Sequence, residues 1–139
     1  MQFSVYLTFD GRCEEAMNFY AGAFGTTIAH IQRFGDMPPS EHYTVSDAEK
    51  NLVMHSSLVV DGQMLMASDS GRNHNVIVGN NVTININCKS MDEIQRLFAN
   101  ISEGGQVTMP LADSFWGAHF GMCTDKFDVN WMFNYEREK

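Results

Sequence analysis

The 139-residue chain carries 17 Asp and Glu against 9 Lys and Arg, a formal net charge of −8, and is 44% hydrophobic; this suits one domain, or two small halves sharing a core, that folds without staples. Its acidity, with no local Lys/Arg cluster to offset it, argues against nucleic acid and anionic membrane surfaces as partners. No apolar run approaches the ~20 residues of a membrane span, and the start MQFSVYLTFDG lacks the basic region and cleavage site of a signal peptide, so a cytoplasmic location is expected.

Taken in order, Phe3 to Phe9 alternate, with Phe3, Val5, Leu7 and Phe9 on one side and Ser4, Tyr6 and Thr8 on the other, the mark of a strand with two different faces. Cys13, Ala16, Met17, Tyr20 and Phe24 then form an apolar helical stripe, Glu14 and Glu15 favour the N-terminus, and Gly25 supplies a stop, predicting a helix over about 12–24. Pro38-Pro39-Ser40 interrupts any regular element, so Phe34 to Asp47 is expected to be an excursion beside a binding cleft or dimer contact, or a plain surface loop. Leu52 to Val60 and Gln63 to Ser68 read as strands joined by a tight turn at Asp61-Gly62.

Ser70 to Asn81, rich in Gly and Asn around a short Val76-Ile77-Val78, has linker composition. Val82 to Cys88 repeats the alternation, with Val82, Ile84, Ile86 and Cys88 opposite Thr83, Asn85 and Asn87. Ser90 to Glu93 has capping-box spacing, Met91, Ile94, Leu97, Phe98 and Ile101 form a second stripe, and Gly104-Gly105 ends that helix. Finally, Ser114 to Glu136 holds two short, aromatic-rich apolar runs around Thr124-Asp125-Lys126 and is predicted to be a β-hairpin closing the sheet. Strand, amphipathic helix and hairpin-rich strands thus occur twice, near 2–69 and 82–136.

The motifs FDG-x-C-EEA-x-x-FY-x-x-x-FG, RFGDMP, HSSLVVDGQMLMASD, FWG-x-x-FG, TD-x-F and W-M-x-N, spread over nearly the whole chain, resemble the PhnB-like branch of the glyoxalase/bleomycin-resistance (vicinal oxygen chelate) superfamily. The resemblance implies an α+β fold of two βαβββ modules with curved mixed sheets: a single glyoxalase-like domain over 1–139, its modules at 1–70 and 82–139. It also implies helices on one side of each sheet, so that Tyr6 and Thr8 and, in the second half, Asn85 and Asn87 line an internal cleft. Asp128 stands where the family pattern has Gly, and a small stability cost is expected if that turn needs positive φ.

Many superfamily members hold a divalent ion with His, Gln or Glu on strands of both halves. The equivalent positions here offer Tyr6, Thr8, Asn85, Asn87, Met132 and Asn134, poor ligands for such ions, so no metal and no other cofactor is expected. The five histidines, His30, His42, His55, His74 and His119, show no paired metal-ligand spacing. His119, in the signature strand beside an aromatic, is the candidate for acid–base work, against a structural reading as an imidazole serving backbone groups. Trp116, Phe120, Trp131 and Phe133 are either an aromatic wall for a planar ligand or plain core. Cys13, Cys88 and Cys123, odd in number and far apart, read as buried thiols. No nucleophile elbow, Walker pattern or G-x-G-x-x-G occurs, and nothing resembles a Rossmann methyl-donor site.

The expected function is metal-free binding or conversion of a small organic ligand in a cleft between halves or subunits, with Tyr6, Thr8, Ser68, Asn85, Asn87, Trp116, His119 and Asn134 as candidate ligand-binding residues. The alternative is a non-catalytic sequestering protein of the bleomycin-resistance type, for which the acidic balance suits a cationic drug; a divalent-metal lyase or dioxygenase is disfavoured by the missing ligands. Apolar sheet edges and the aromatic hairpin predict a homodimer, with FWG-x-x-FG or the Phe34 to Pro39 loop near its interface.

Overall fold

A computed structural model describes residues 1–38, 44–71 and 75–137; they form two compact units, Met1–Ile77 and Val78–Lys139. In the first, β1 (Val5–Phe9), α1 (Cys13–Phe24), β2 (Ile28–Arg33), β3 (Val53–Val60) and β4 (Gln63–Asp69) build a four-stranded sheet ordered β1-β4-β3-β2. In the second, β5 (Ile84–Asn87), α2 (Met91–Ser102), β6 (Gln106–Asp113), β7 (Ala118–Thr124) and β8 (Asn130–Glu136) build a sheet ordered β5-β8-β7-β6. Each sheet has one parallel pair, β1 with β4 and β5 with β8, and is otherwise antiparallel. The fold is the α+β arrangement of two βαβββ modules that the resemblance implies.

The helices form for the reasons their sequences give. α1 buries Cys13, Ala16, Met17 and Tyr20, and α2 buries Ile94, Leu97, Phe98 and Ile101, stripes at helical spacing. Ser90 Oγ accepts the Glu93 N–H at 3.0 Å, while the Glu93 carboxylate accepts the N–H of Lys89, one residue earlier than in a reciprocal capping box. α1 has no side-chain cap of its own. Its cap comes from across the sheet: buried Asp69, the last residue of β4, accepts the Cys13 N–H and the Val53 N–H, each at 2.9 Å. Arg33 on β2 adds a bidentate pair to Glu14 of α1 at 3.1 and 2.7 Å, which holds the Glu14 carboxyl below its ordinary range.

In the second unit Asp125 does comparable work. It is 2% exposed; Oδ1 accepts the N–H groups of Phe127 and Val129 at 2.7 and 3.1 Å, and Oδ2 accepts the indole N–H of buried Trp131 at 2.8 Å. The turn it closes puts Asp128 at φ 68°, so the position that carries Gly in the family pattern does need the left-handed region here. Asp61 and Gly62, at φ 50° and 76°, form the tight β3–β4 turn expected of them. At Gly121 of β7 a Cβ would stand 2.7 Å from the Leu111 side chain and 3.0 Å from that of Phe98, so glycine lets β6 and α2 close over that point without those side chains shifting.

Several expectations are corrected. Phe3 (93% exposed) and Val82 (73%) lie outside the strands assigned to them. Ile28–Arg33 and Gln106–Asp113 are strands that the sequence reading did not identify. Phe115 and Trp116 sit in the turn between β6 and β7 rather than in a strand. Phe34–Asp36, assigned to an excursion, is a 3-10 turn tied to the body by Phe34 N–H to Leu52 O and Gly35 N–H to Lys50 O; residues 39–43 of that stretch lie outside those described.

All three thiols are free and buried. Burial pushes Cys13 and Cys88 up from 9.0 to about 11 and Cys123 to about 12. Burial keeps the folded thiols protonated where the unfolded ones ionise, which favours the unfolded state, so stability is undiminished below pH 9 and is lost as pH rises from 9.0 through about 11 to 12. Urea midpoints measured across that window should fall, and fall less steeply in Cys123→Ala. Asp69→Ala leaves two buried N–H groups without an acceptor and should lower stability by about 3 kcal/mol, Asp69→Asn by less, read as a drop in urea midpoint at unchanged slope.

Candidate functional site

Each helix covers one face of its own sheet, and the opposite face of each is set by strand register. In the first unit Val5, Leu7 and Phe9 pair with Leu65, Ala67 and Asp69 on the helix side, while Tyr6 pairs with Met66 and Thr8 with Ser68 on the open side. The β3–β4 register places Ser57 and Val59 with Met66 and Met64, and the β2–β3 register sets His30 against Ser57 and Gln32 against His55. The open face of this sheet is therefore Tyr6 and Thr8, Met64, Met66 and Ser68, His55, Ser57 and Val59, and His30 and Gln32. Tyr6, Thr8 and Ser68, expected in a ligand site, share this face.

Three aromatic side chains are grouped on it. The Tyr6 hydroxyl lies 3.4 Å from His55 Nδ1, the two rings stack at 5.8 Å with 29° between planes, and the His30 ring lies 5.9 Å from that of His55. The sequence reading treated His30 and His55 singly. The signal that joins them is the spacing His30-x-Gln32 and His55-x-Ser57, legible only once 28–33 is known to be a strand.

In the second unit Ile84 and Ile86 pair with buried Trp131 and Phe133, and Asn85 and Asn87 pair with Met132 and Asn134 on the open face. Asn85 Nδ2 donates to Asn87 Oδ1 at 3.1 Å. Across β8, Asn134 faces Phe120, Met132 faces Met122 and Asn130 faces Thr124, with Thr124 Oγ1 donating to Asn130 Oδ1 at 2.8 Å. Asn85, Asn87 and Asn134 thus share one face, and none lies under a helix. Trp116, 55% exposed, meets Phe120 edge-on at 5.6 Å and so reaches the same face from the β6–β7 turn.

The four-aromatic wall does not form. Trp131 and Phe133 are 2% and 0% exposed on the helix side, where Phe133 meets Phe98 at 5.5 Å, while Phe120 faces the other way. His119 alternates with Phe120 and pairs with Tyr135, so it is not on the face of Asn85, Asn87 and Asn134. Its Nδ1 lies 3.0 Å from Asp113 Oδ1, which also accepts from Arg137 at 2.5 Å; the His119 hydrogen bond, then Arg137, holds the Asp113 carboxyl below its ordinary range. The imidazole thus meets a side-chain carboxylate of β6 rather than the backbone groups expected of it. Among the described residues no group of three or more His, Cys, Asp or Glu side chains could hold a metal ion, and no helix is long and apolar enough to cross a membrane.

Residues 1–133 match the protein family described as 3-demethylubiquinone-9 3-methyltransferase. The chain belongs to this family. It is a PhnB-like member of the glyoxalase/bleomycin-resistance superfamily, and solved structures agree. Protein PA1353 from Pseudomonas aeruginosa is 40% identical, with 99% of both chains covered and a TM-score of 0.87. A putative 3-demethylubiquinone-9 3-methyltransferase, PhnB protein, from Bacillus cereus is 29% identical over 97% of this chain and 99% of that one, TM-score 0.77. A glyoxalase-related enzyme from Fulvimarina pelagi, 16% identical over 98% and 89% of the two chains, shares the fold at a TM-score of 0.59. The family's name describes a methyl transfer, but a PhnB-like chain with one parallel strand pair per sheet is not the doubly wound parallel sheet with a glycine-rich turn that binds nucleotides; an activity does not follow from a fold.

Proposed function

We propose that this PhnB-like protein binds a small organic ligand on the open faces of its sheets without a metal ion. The observation that carries the reading is the register: Tyr6, Thr8 and Ser68 on one sheet, and Asn85, Asn87 and Asn134 on the other, all face away from the helix of their own unit. These faces carry amides, hydroxyls, imidazoles, thioethers and aromatics, a mixture of apolar surface and hydrogen-bonding groups that suits a small-molecule site. Neutral amides and thioethers at the positions where relatives chelate metals support recognition by hydrogen bonding and apolar contact. A cationic drug is less well served, because no open-face residue of β1 to β4 is acidic.

The ligand reading is tested on freshly purified full-length protein by native mass spectrometry and by thermal shift against chemically diverse small molecules. A bound organic species released on denaturation, or a saturable rise in melting temperature diminished in Asn85→Leu or Asn134→Leu, is expected; a bare chain that answers to nothing in the collection would count against it.

The protein is further proposed to be a homodimer in the cytoplasm. β6 is an edge strand whose Val107 and Met109 are 43% and 47% exposed, and it leads into the fully exposed Phe115. Such an edge favours pairing. Light scattering at micromolar concentration should give about twice the 15.7 kDa chain mass; a mass near one chain would refute the dimer.

A further inference from the structure

The array on the first sheet admits a sharper statement, which rests on the proposed small-molecule function. We propose that His30, His55 and Tyr6 form a recognition site for a planar, conjugated organic anion such as an aromatic carboxylate, with His55 as its central hydrogen-bond donor.

Charge carries the first step. The chain holds 17 acidic residues, but the open-face residues of β1 to β4 (Tyr6 and Thr8; His30 and Gln32; His55, Ser57 and Val59; Met64, Met66 and Ser68) include none. The cation of that sheet, Arg33, is engaged with Glu14 of α1 and with Asn51 O. The face therefore does not repel an anion, while the rest of the molecule attracts cations elsewhere.

Geometry carries the second. The Tyr6 hydroxyl lies 3.4 Å from His55 Nδ1, a contact in which either atom can be the donor according to the imidazole tautomer. In the tautomer that accepts at Nδ1, the His55 N–H is Nε2, a donor on the far side of the ring from that contact. His30, 5.9 Å away ring to ring, brings a second imidazole to the same ligand, while its register partner Ser57 is buried at 6% exposure. Two imidazoles, one donor each, can meet the two oxygens of a carboxylate.

Shape and softness carry the third. Tyr6 stacks on His55 with 29° between planes, and Tyr6 and Met64 are 48% and 49% exposed, so aromatic and thioether surface is open to a ligand on this face. Flat rings flanked by thioethers take up a conjugated ligand better than a branched aliphatic one. The three aromatic groups come from three strands, β1, β2 and β3, so this is a built surface rather than a local run.

The test is a titration of the full-length protein with benzoate, followed through imidazole 15N and ring proton resonances, with benzamide as the uncharged control and His119 as the internal reference. Saturable shifts at His30 and His55 with benzoate, at least tenfold weaker binding in His55→Ala and in His30→Ala, and recovery in His55→Gln are expected, with Tyr6→Phe weakening binding without lowering the melting temperature. Equal shifts at His119, equal affinity for benzamide, or no response at His30 and His55 would overturn the anion site. Shifts that map instead to Asn85, Asn87 and Asn134 would overturn it while leaving small-molecule binding intact. Silence on both sheets would count against both.

Discussion

The structure depends on one geometric constraint: a four-stranded sheet is served by a single helix. Strands stand ~4.8 Å apart and a helix is about 10 Å wide, so α1 and α2 can each cover only one face of their own sheet. The parallel pairing of β1 with β4, and of β5 with β8, demands a crossover, and the helix supplies it while carrying the chain to the far edge, from which three antiparallel strands return. Every strand with two faces must then alternate, apolar toward the helix and something else away from it. What that something else is decides what the protein can do.

Two buried carboxylates hold this arrangement at its corners. Asp69 ends β4 and joins the start of α1 to the start of β3; Asp125 follows β7, closes the turn into β8 and anchors Trp131. Each carboxyl group is matched by backbone or indole N–H donors, as a buried polar group requires. Among the described residues no buried side-chain nitrogen or oxygen lacks a hydrogen-bond partner. The polar groups buried inside the two units therefore serve the fold.

How much of this was legible follows from where burial is one-sided. β1, β5 and both helices announce themselves because their two faces differ, and the Asp-Gly turn because its backbone geometry selects those residues. β2 and β6 are silent for physical reasons: register shifts break the alternation of Ile28–Arg33 against β3, and Gln106–Asp113 is exposed along nearly all its length, with Pro110 inside it. Period-two reading also fails when a run contains a turn. Phe115 and Trp116 seemed continuous with Phe120, and Phe120 with Trp131 and Phe133, but β7 pairs Gly121, not Phe120, with Phe133. That single register fact separates the aromatics and turns His119 away from the asparagines.

The candidate residues divide along the same line. Tyr6, Thr8, Asn85, Asn87 and Asn134 could be placed from alternation within one strand, whereas the neighbourhood of His30, His55 and Tyr6 exists only through pairing between segments 25 and 49 residues apart in sequence. Net charge was a poor guide to that neighbourhood. A value of −8 describes the solvated periphery, where acidic side chains sit on turns and helix surfaces, and solubility is set there. Recognition is set by the few side chains that share a face, and on the first sheet these are neutral or basic. A protein acidic as a whole can thus present a locally anion-tolerant surface, because strand register, rather than composition, determines which side chains a ligand meets.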